Sequence, residues 1–135
     1  MALDEYLGDN LQELFEVAKE NNVKSIVGTS GSFETIYDIL SYDLDSVDRH
    51  KWARLEIDIP AYRNLHRKIL FSTNDERLQI PGMTDFRADM MVVGSALITY
   101  IITNIKVNRI YMARTAIKEG LLWAMLSNRV DEFIK

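Results

Sequence analysis

Apolar residues recur along this chain in two rhythms, one helical and one alternating, and the switches between them outline the elements. Leu3, Tyr6 and Leu7, then Leu11, Leu14, Phe15 and Ala18, fall at helical spacing. Asp4 and Glu5 at the start and Lys19 near the end suit the dipole of that helix, and Asn21-Asn22 stops it. Ser25-Ile26-Val27 is a short apolar run with two β-branched residues, which predicts a strand packed on both faces. A turn of glycine and hydroxyl residues follows, and Phe33, Ile36, Ile39 and Leu40 mark the apolar face of the next helix. Ser41 to Lys51 is polar and irregular and predicts a surface loop. From Trp52 to Ile59 the pattern alternates, with Leu55, Ile57 and Ile59 opposite Arg54, Glu56 and Asp58, as in a short amphipathic strand.

Pro60 suits the first turn of a helix whose apolar face is Tyr62, Leu65 and Ile69, with Arg63, Arg67 and Lys68 as its solvated side. Thr73 and Glu76 have capping-box spacing, and Pro81-Gly82 breaks the short helix they start. Arg87-Ala88-Asp89 opens a long apolar helix to about Ile105, Lys106-Val107-Asn108 turns the chain, and Arg109 to Ala113 predicts a second buried strand. A last helix runs from about Thr115 through Leu126. Two strand-then-helix units joined by helices predict an α/β fold, helix-rich, with a small parallel sheet. Ligands in such sheets gather beyond the carboxyl ends of the strands, which puts the Gly28–Ser32 turn and the Ala113–Gly120 segment at one edge of a cleft.

Composition narrows the classes. A formal net charge of −4 argues against a general nucleic-acid binder. The absence of cysteine removes disulfides and thiolate metal sites and points to a reducing cytoplasm. The acidic N-terminus lacks the basic and apolar regions of a secretory signal. Met90 to Ile105 carries no charge but is shorter than the roughly 20 residues that span a bilayer, so it reads as a core helix and no membrane is expected.

Candidate chemistry concentrates in one place. Gly28, Thr29, Ser30, Gly31 and Ser32 lie between a strand and a helix. Glycines there permit positive φ or close backbone approach, and Ser30 or Ser32 can cap the helix. Free backbone N–H groups at such a turn can hold a phosphate, although a plain strand-to-helix connection has the same composition. The turn lacks the lysine of a P-loop and the spacing of a dinucleotide fingerprint. Asp43, Asp45 and Asp48 alternate but lack the mid-loop glycine and final glutamate of a calcium loop. His50 and His66 have no ligand spacing and read as surface histidines. Arg87 and Asp89 read as a pair or cap at the start of the long helix, and Glu119 as a surface or capping group.

Four segments in order resemble the exopolyphosphatase / guanosine pentaphosphate phosphohydrolase family. They are Val27-Gly28-Thr29-Ser30-Gly31-Ser32, Asp75-Glu76-Arg77 with Ile80-Pro81-Gly82-Met83, Arg87-Ala88-Asp89 leading through Gly94-Ser95-Ala96, and Ile110-Tyr111-Met112 with Ile117-Lys118-Glu119-Gly120-Leu121-Leu122. The resemblance implies a ribonuclease-H-like lobe of the actin and sugar-kinase type, of which residues 1–135 would form one partial domain, the later part of the second lobe. It implies hydrolysis of terminal phosphoanhydrides in polyphosphate or guanosine pentaphosphate, with magnesium expected for the full-length enzyme. The family's Asp-x-Gly loop, its water-activating glutamate and its glycine-rich second loop have no counterpart here and would precede residue 1. This chain is therefore expected to supply a cleft wall, with no catalytic or metal-binding residue of its own, and to be inactive alone. Three departures stand out: Ser32 for threonine, Ala113-Arg114 for Ser-Asp, and Lys118 for an arginine whose fork it lacks. The reading from another class is a non-catalytic interaction module, possible as a homodimer through an apolar face.

Overall fold

A computed structural model describes residues 3–42 and 54–129 of this chain. The first helix, α1, spans Leu3–Glu20, with Asp4 and Glu5 in its first turn and Lys19 in its last. Asn22 ends it in the left-handed region at φ 49°. The Val23 amide reaches back to the Ala18 carbonyl and the Asn22 amide to that of Lys19, which satisfies the helix end. Strand β1 (Ser25–Thr29) leads into α2 (Gly31–Leu40). Strand β2 (Arg54–Ile57) leads into α3 (Ile59–Phe71), where Asp58 accepts from the Ala61 amide at 2.7 Å.

The capping box is present as the spacing predicts. Thr73 accepts from the Glu76 amide at 3.3 Å and the Glu76 carboxylate accepts from the Thr73 amide at 2.7 Å, opening α4 (Asn74–Leu78). Pro81-Gly82 then breaks the chain, and Gly82 takes a φ of 89° against the backbone of Ile39, where a side chain would be strained. The long apolar helix starts with a short forerunner, α5 (Asp85–Ala88), before α6 (Met90–Ile105). Lys106 closes α6 at φ 58°, and β3 (Arg109–Ala113) and α7 (Ile117–Leu126) complete the described order.

The sheet has the order β1-β3-β2. Strands β1 and β3 are parallel, Ile26 opposite Ile110 and Thr29 opposite Ala113, so the two strand–helix units lie side by side as predicted. The sheet is mixed rather than wholly parallel, because β2 runs antiparallel to β3 with Ile57 opposite Ile110. The amphipathic strand is thus real, and it ends at Ile57, with Ile59 opening the next helix; Trp52, Ala53 and the loop expected from Ser41 to Lys51 beyond Tyr42 lie outside the described residues.

One face of the sheet meets the helices. Ile110, Met112 and Ile57 join Ile36 of α2, Tyr62, Leu65 and Ile69 of α3, and Met91, Ile98 and Ile102 of α6 in a single core. The other face is open at β1: Val27 is 56% exposed, so the expectation of a strand buried on both sides is not met. Side chains alternate across a strand, and the helices cover the face that carries Ile26 and Gly28 rather than the one that carries Val27. No helix of the described residues is long and apolar enough to cross a membrane.

Candidate phosphate-binding turn

The carboxyl ends of β1 and β3 lie together, and the chain leaves β1 there through Ser30. Ser30 holds φ 65° and ψ −170°, a conformation that is nearly restricted to glycine. It reverses the chain sharply enough for α2 to begin at Gly31. The expected cap is not made: Ser30 occupies the N-cap position, but its side chain forms no cap bond. The first amides of α2 therefore lack both an intrahelical partner and a side-chain acceptor from Ser30, and they form the positive end of the helix dipole. The Ser30 carbonyl takes the Glu34 amide at 3.1 Å, and the Thr35 hydroxyl donates to the Gly31 carbonyl at 2.9 Å.

The five residues of the turn have distinct places. Gly28 is buried with the Phe33 ring against it. Thr29 and Ser30 are exposed. Gly31 is buried, and Ser32 is half-buried on the side toward Gly94 of α6. The need for glycine at Gly31 is one of space, not of φ. A β-carbon there would fall inside the guanidinium of Arg87, while the positive φ of the turn belongs to Ser30.

Arg87 is the residue that sequence reasoning misplaced. It does not pair with Asp89. Asp89 instead bonds Arg77 at 3.2 Å, and Arg77 also donates to the Ser72 carbonyl at 2.6 Å, tying α4 to the start of α6. Arg87 reaches across from α5 to lie on Gly31, its Cζ 5.3 Å from the centre of the Phe86 ring. Among the described residues it forms no ion pair. The turn thus brings uncapped amides, exposed hydroxyls and an uncommitted guanidinium to one spot, a combination suited to a phosphate oxyanion. The Arg87-Ala88-Asp89 motif was visible in the sequence, but only the tertiary approach of α5 to α2 separates the arginine's role from the aspartate's.

Other candidates fall elsewhere. His66 is half-buried rather than solvated: its Nδ1 lies 3.0 Å from the Ser95 hydroxyl and its ring stacks on Tyr62. Burial lowers its pKa from the ordinary 6.5. Glu119 is the capping group expected, accepting from the Ala116 amide at 2.8 Å, and Lys118 is exposed beside it at 3.4 Å. His50 and the three loop aspartates lie outside the described residues. Among the described residues no group of three or more histidine, aspartate or glutamate side chains is gathered as a metal would require. The donor set described here therefore does not fit a magnesium site by itself.

Solved structures share this fold. The structure is similar to that of an exopolyphosphatase from Cytophaga hutchinsonii, with 28% identity, a TM-score of 0.81, and coverage of 93% of this chain and 40% of that one. It is also similar to a Ppx/GppA family member from Aquifex aeolicus, at 17% identity and a TM-score of 0.65, over 89% of this chain and 41% of that one. A type II variant of the Aquifex aeolicus phosphatase matches at 18% identity and a TM-score of 0.62, over 84% of this chain and 40% of that one. The chain thus spans about 40% of the length of these solved relatives, whose actin-like fold it shares in part. The sequence profile of the Ppx/GppA phosphatase family matches residues 2–129, and the chain belongs to that family.

Proposed function

We propose that this chain is part of a phosphoanhydride hydrolase of the polyphosphate and guanosine pentaphosphate type, and that its turn from Gly28 to Ser32 holds a phosphate in the cleft. The observation that carries the reading is the Arg87 guanidinium laid on Gly31 at the uncapped start of α2. Amides fixed by the fold and a cation with no acidic partner cost little to reorganise when an oxyanion arrives, so their help is positional and electrostatic. Residues 1–135 act as one partial domain and cleft wall. Magnesium and the carboxylate that activates water belong to the rest of a full-length enzyme, and a reducing cytoplasm suits the cysteine-free chain.

Tripolyphosphate titrated into the isotope-labelled protein tests this. The amides of Thr29 to Ser32 are expected to shift in the wild type and to shift at about tenfold higher ligand in Arg87→Met. Equal affinity in the variant would remove Arg87 from the site. Metal-dependent phosphate release from polyphosphate by the 135-residue protein alone would count against a hydrolytic centre supplied elsewhere.

A second reading, an interaction or dimerisation module, has its own support. Helix α7 buries only Ala124 and leaves Ile117 90% and Leu126 80% exposed, an apolar face of the kind that marks contact surfaces. Light scattering decides it: a monomer at all concentrations speaks against self-association.

A further inference from the structure

At the opposite end of β1 from the turn, α1 and α6 finish side by side and enclose a hollow of about 340 Å³. Lys19, Lys24 and Lys106 line it together with Asn22, Asn104, Phe15 and Val23, and no acidic residue is among the lining; the Asn104 side-chain amide donates to the Tyr100 carbonyl at 2.9 Å. That is a local excess of positive charge in a chain whose formal net charge is −4.

Lysines near helix ends ordinarily serve the helix carbonyls. Here the carbonyls are already occupied. The Ala18 and Lys19 carbonyls take the Val23 and Asn22 amides, and the Val17 carbonyl takes both the Asn21 amide and its side chain. The Ile102 carbonyl takes the amides of Lys106 and Val107. Nor do acids neutralise the lysines. Glu16, one turn before Lys19, accepts from Gln12 at 3.0 Å, and among the described residues none of the three lysines forms an ion pair. All three lysines are exposed, and an anion among them would offset the like charge that they bring to one concavity.

We propose that this hollow is a second anion site, fitted to a small multivalent oxyanion held by the ammonium groups of Lys19, Lys24 and Lys106. The five residues of β1 run between Lys24 at the hollow and Ser30 in the phosphate-binding turn, roughly 17 Å at about 3.3 Å per residue, so the two sites are physically distinct. Asn22 and Lys106, both with left-handed backbone, are among the residues that line it. Lys24 enters from the start of β1, where its carbonyl is fixed by the Asn108 amide at 2.9 Å.

The test follows backbone amide shifts of the isotope-labelled 135-residue protein at low salt during titration with tripolyphosphate and, separately, citrate. Tripolyphosphate is expected to move Asn22 to Lys24 and Asn104 to Lys106. Its Kd is expected to rise about tenfold in the combined variant Lys19→Gln, Lys24→Gln, Lys106→Gln, and to rise with added salt. Citrate acting at the same residues supports recognition by charge; tripolyphosphate acting alone supports a site specific for phosphate. Shifts confined to Thr29 to Ser32, no shift at all, or wild-type affinity in the variant would each overturn the proposal. If the triple variant fails to fold, the single Lys24→Gln variant carries the same comparison.

Discussion

Ser30 shows how much a single backbone angle decides. Its φ of 65° with ψ near −170° costs a non-glycine residue on the order of 1–3 kcal/mol, yet a serine stands there beside two glycines that do not need the freedom of positive φ. Ser30→Gly is expected to raise unfolding stability by about 1 kcal/mol, read from urea melts, because relief of strain exceeds the added entropy of the unfolded glycine. A variant less stable than wild type would mean that the serine side chain contributes more than the strain removes. The sequence made the turn legible through its composition, but not which residue carries the strain. That depends on where β1 must end for Thr29 to pair with Ala113, a matter of register with a strand far along the chain. Arg87 was illegible for a related reason: helical spacing places a side chain on a face, and only the packing of α5 on α2 says what that face meets.

At the scale of elements, the helices α3 and α6 are joined by a polar seam inside an otherwise apolar contact. The Tyr62 hydroxyl donates to the Ser95 carbonyl at 2.8 Å and lies 3.1 Å from the Thr99 hydroxyl, while His66 meets Ser95 one turn along. Burial drives the Tyr62 pKa up to about 12 and the His66 pKa down. A histidine whose folded pKa is depressed takes up a proton less readily in the folded than in the unfolded chain. Its contribution is intact above the unfolded value of 6.5 and is lost as pH falls through that value toward the lower folded one. Stability is therefore expected to decline on acidification from neutrality over that window, and His66→Gln to flatten the decline in melts at a series of pH values. An unchanged profile in the variant would show that His66 is not the responsible group. Glu76 and Glu119, both held below 4.5 by backbone amides, act only at lower pH and so do not confuse the window. Helix starts of this kind were legible, as the Thr73–Glu76 box shows, because cap chemistry is local. The His66–Ser95 contact was not, since it joins residues 29 apart in sequence.

For the whole molecule, the order β1-β3-β2 sets how the fold can be reached. Among the described residues, the last strand in sequence lies in the middle, and both earlier strands pair only with it. A ribosome that has delivered everything up to Asn108 has made two strands with nothing to zip onto and a set of amphipathic helices with an unfinished floor. Chain closure over such separations slows folding, so the sheet is expected to form only once β3 is available, in one cooperative step. A version ending at Asn108 is expected to keep part of its helical circular dichroism yet lose a sigmoidal melt. A sharp transition in that shortened chain would show that the helices organise without their central strand. Between emergence of β1 and arrival of β3, the nascent polypeptide presents bare strand edges, the period in which chaperone engagement would matter most.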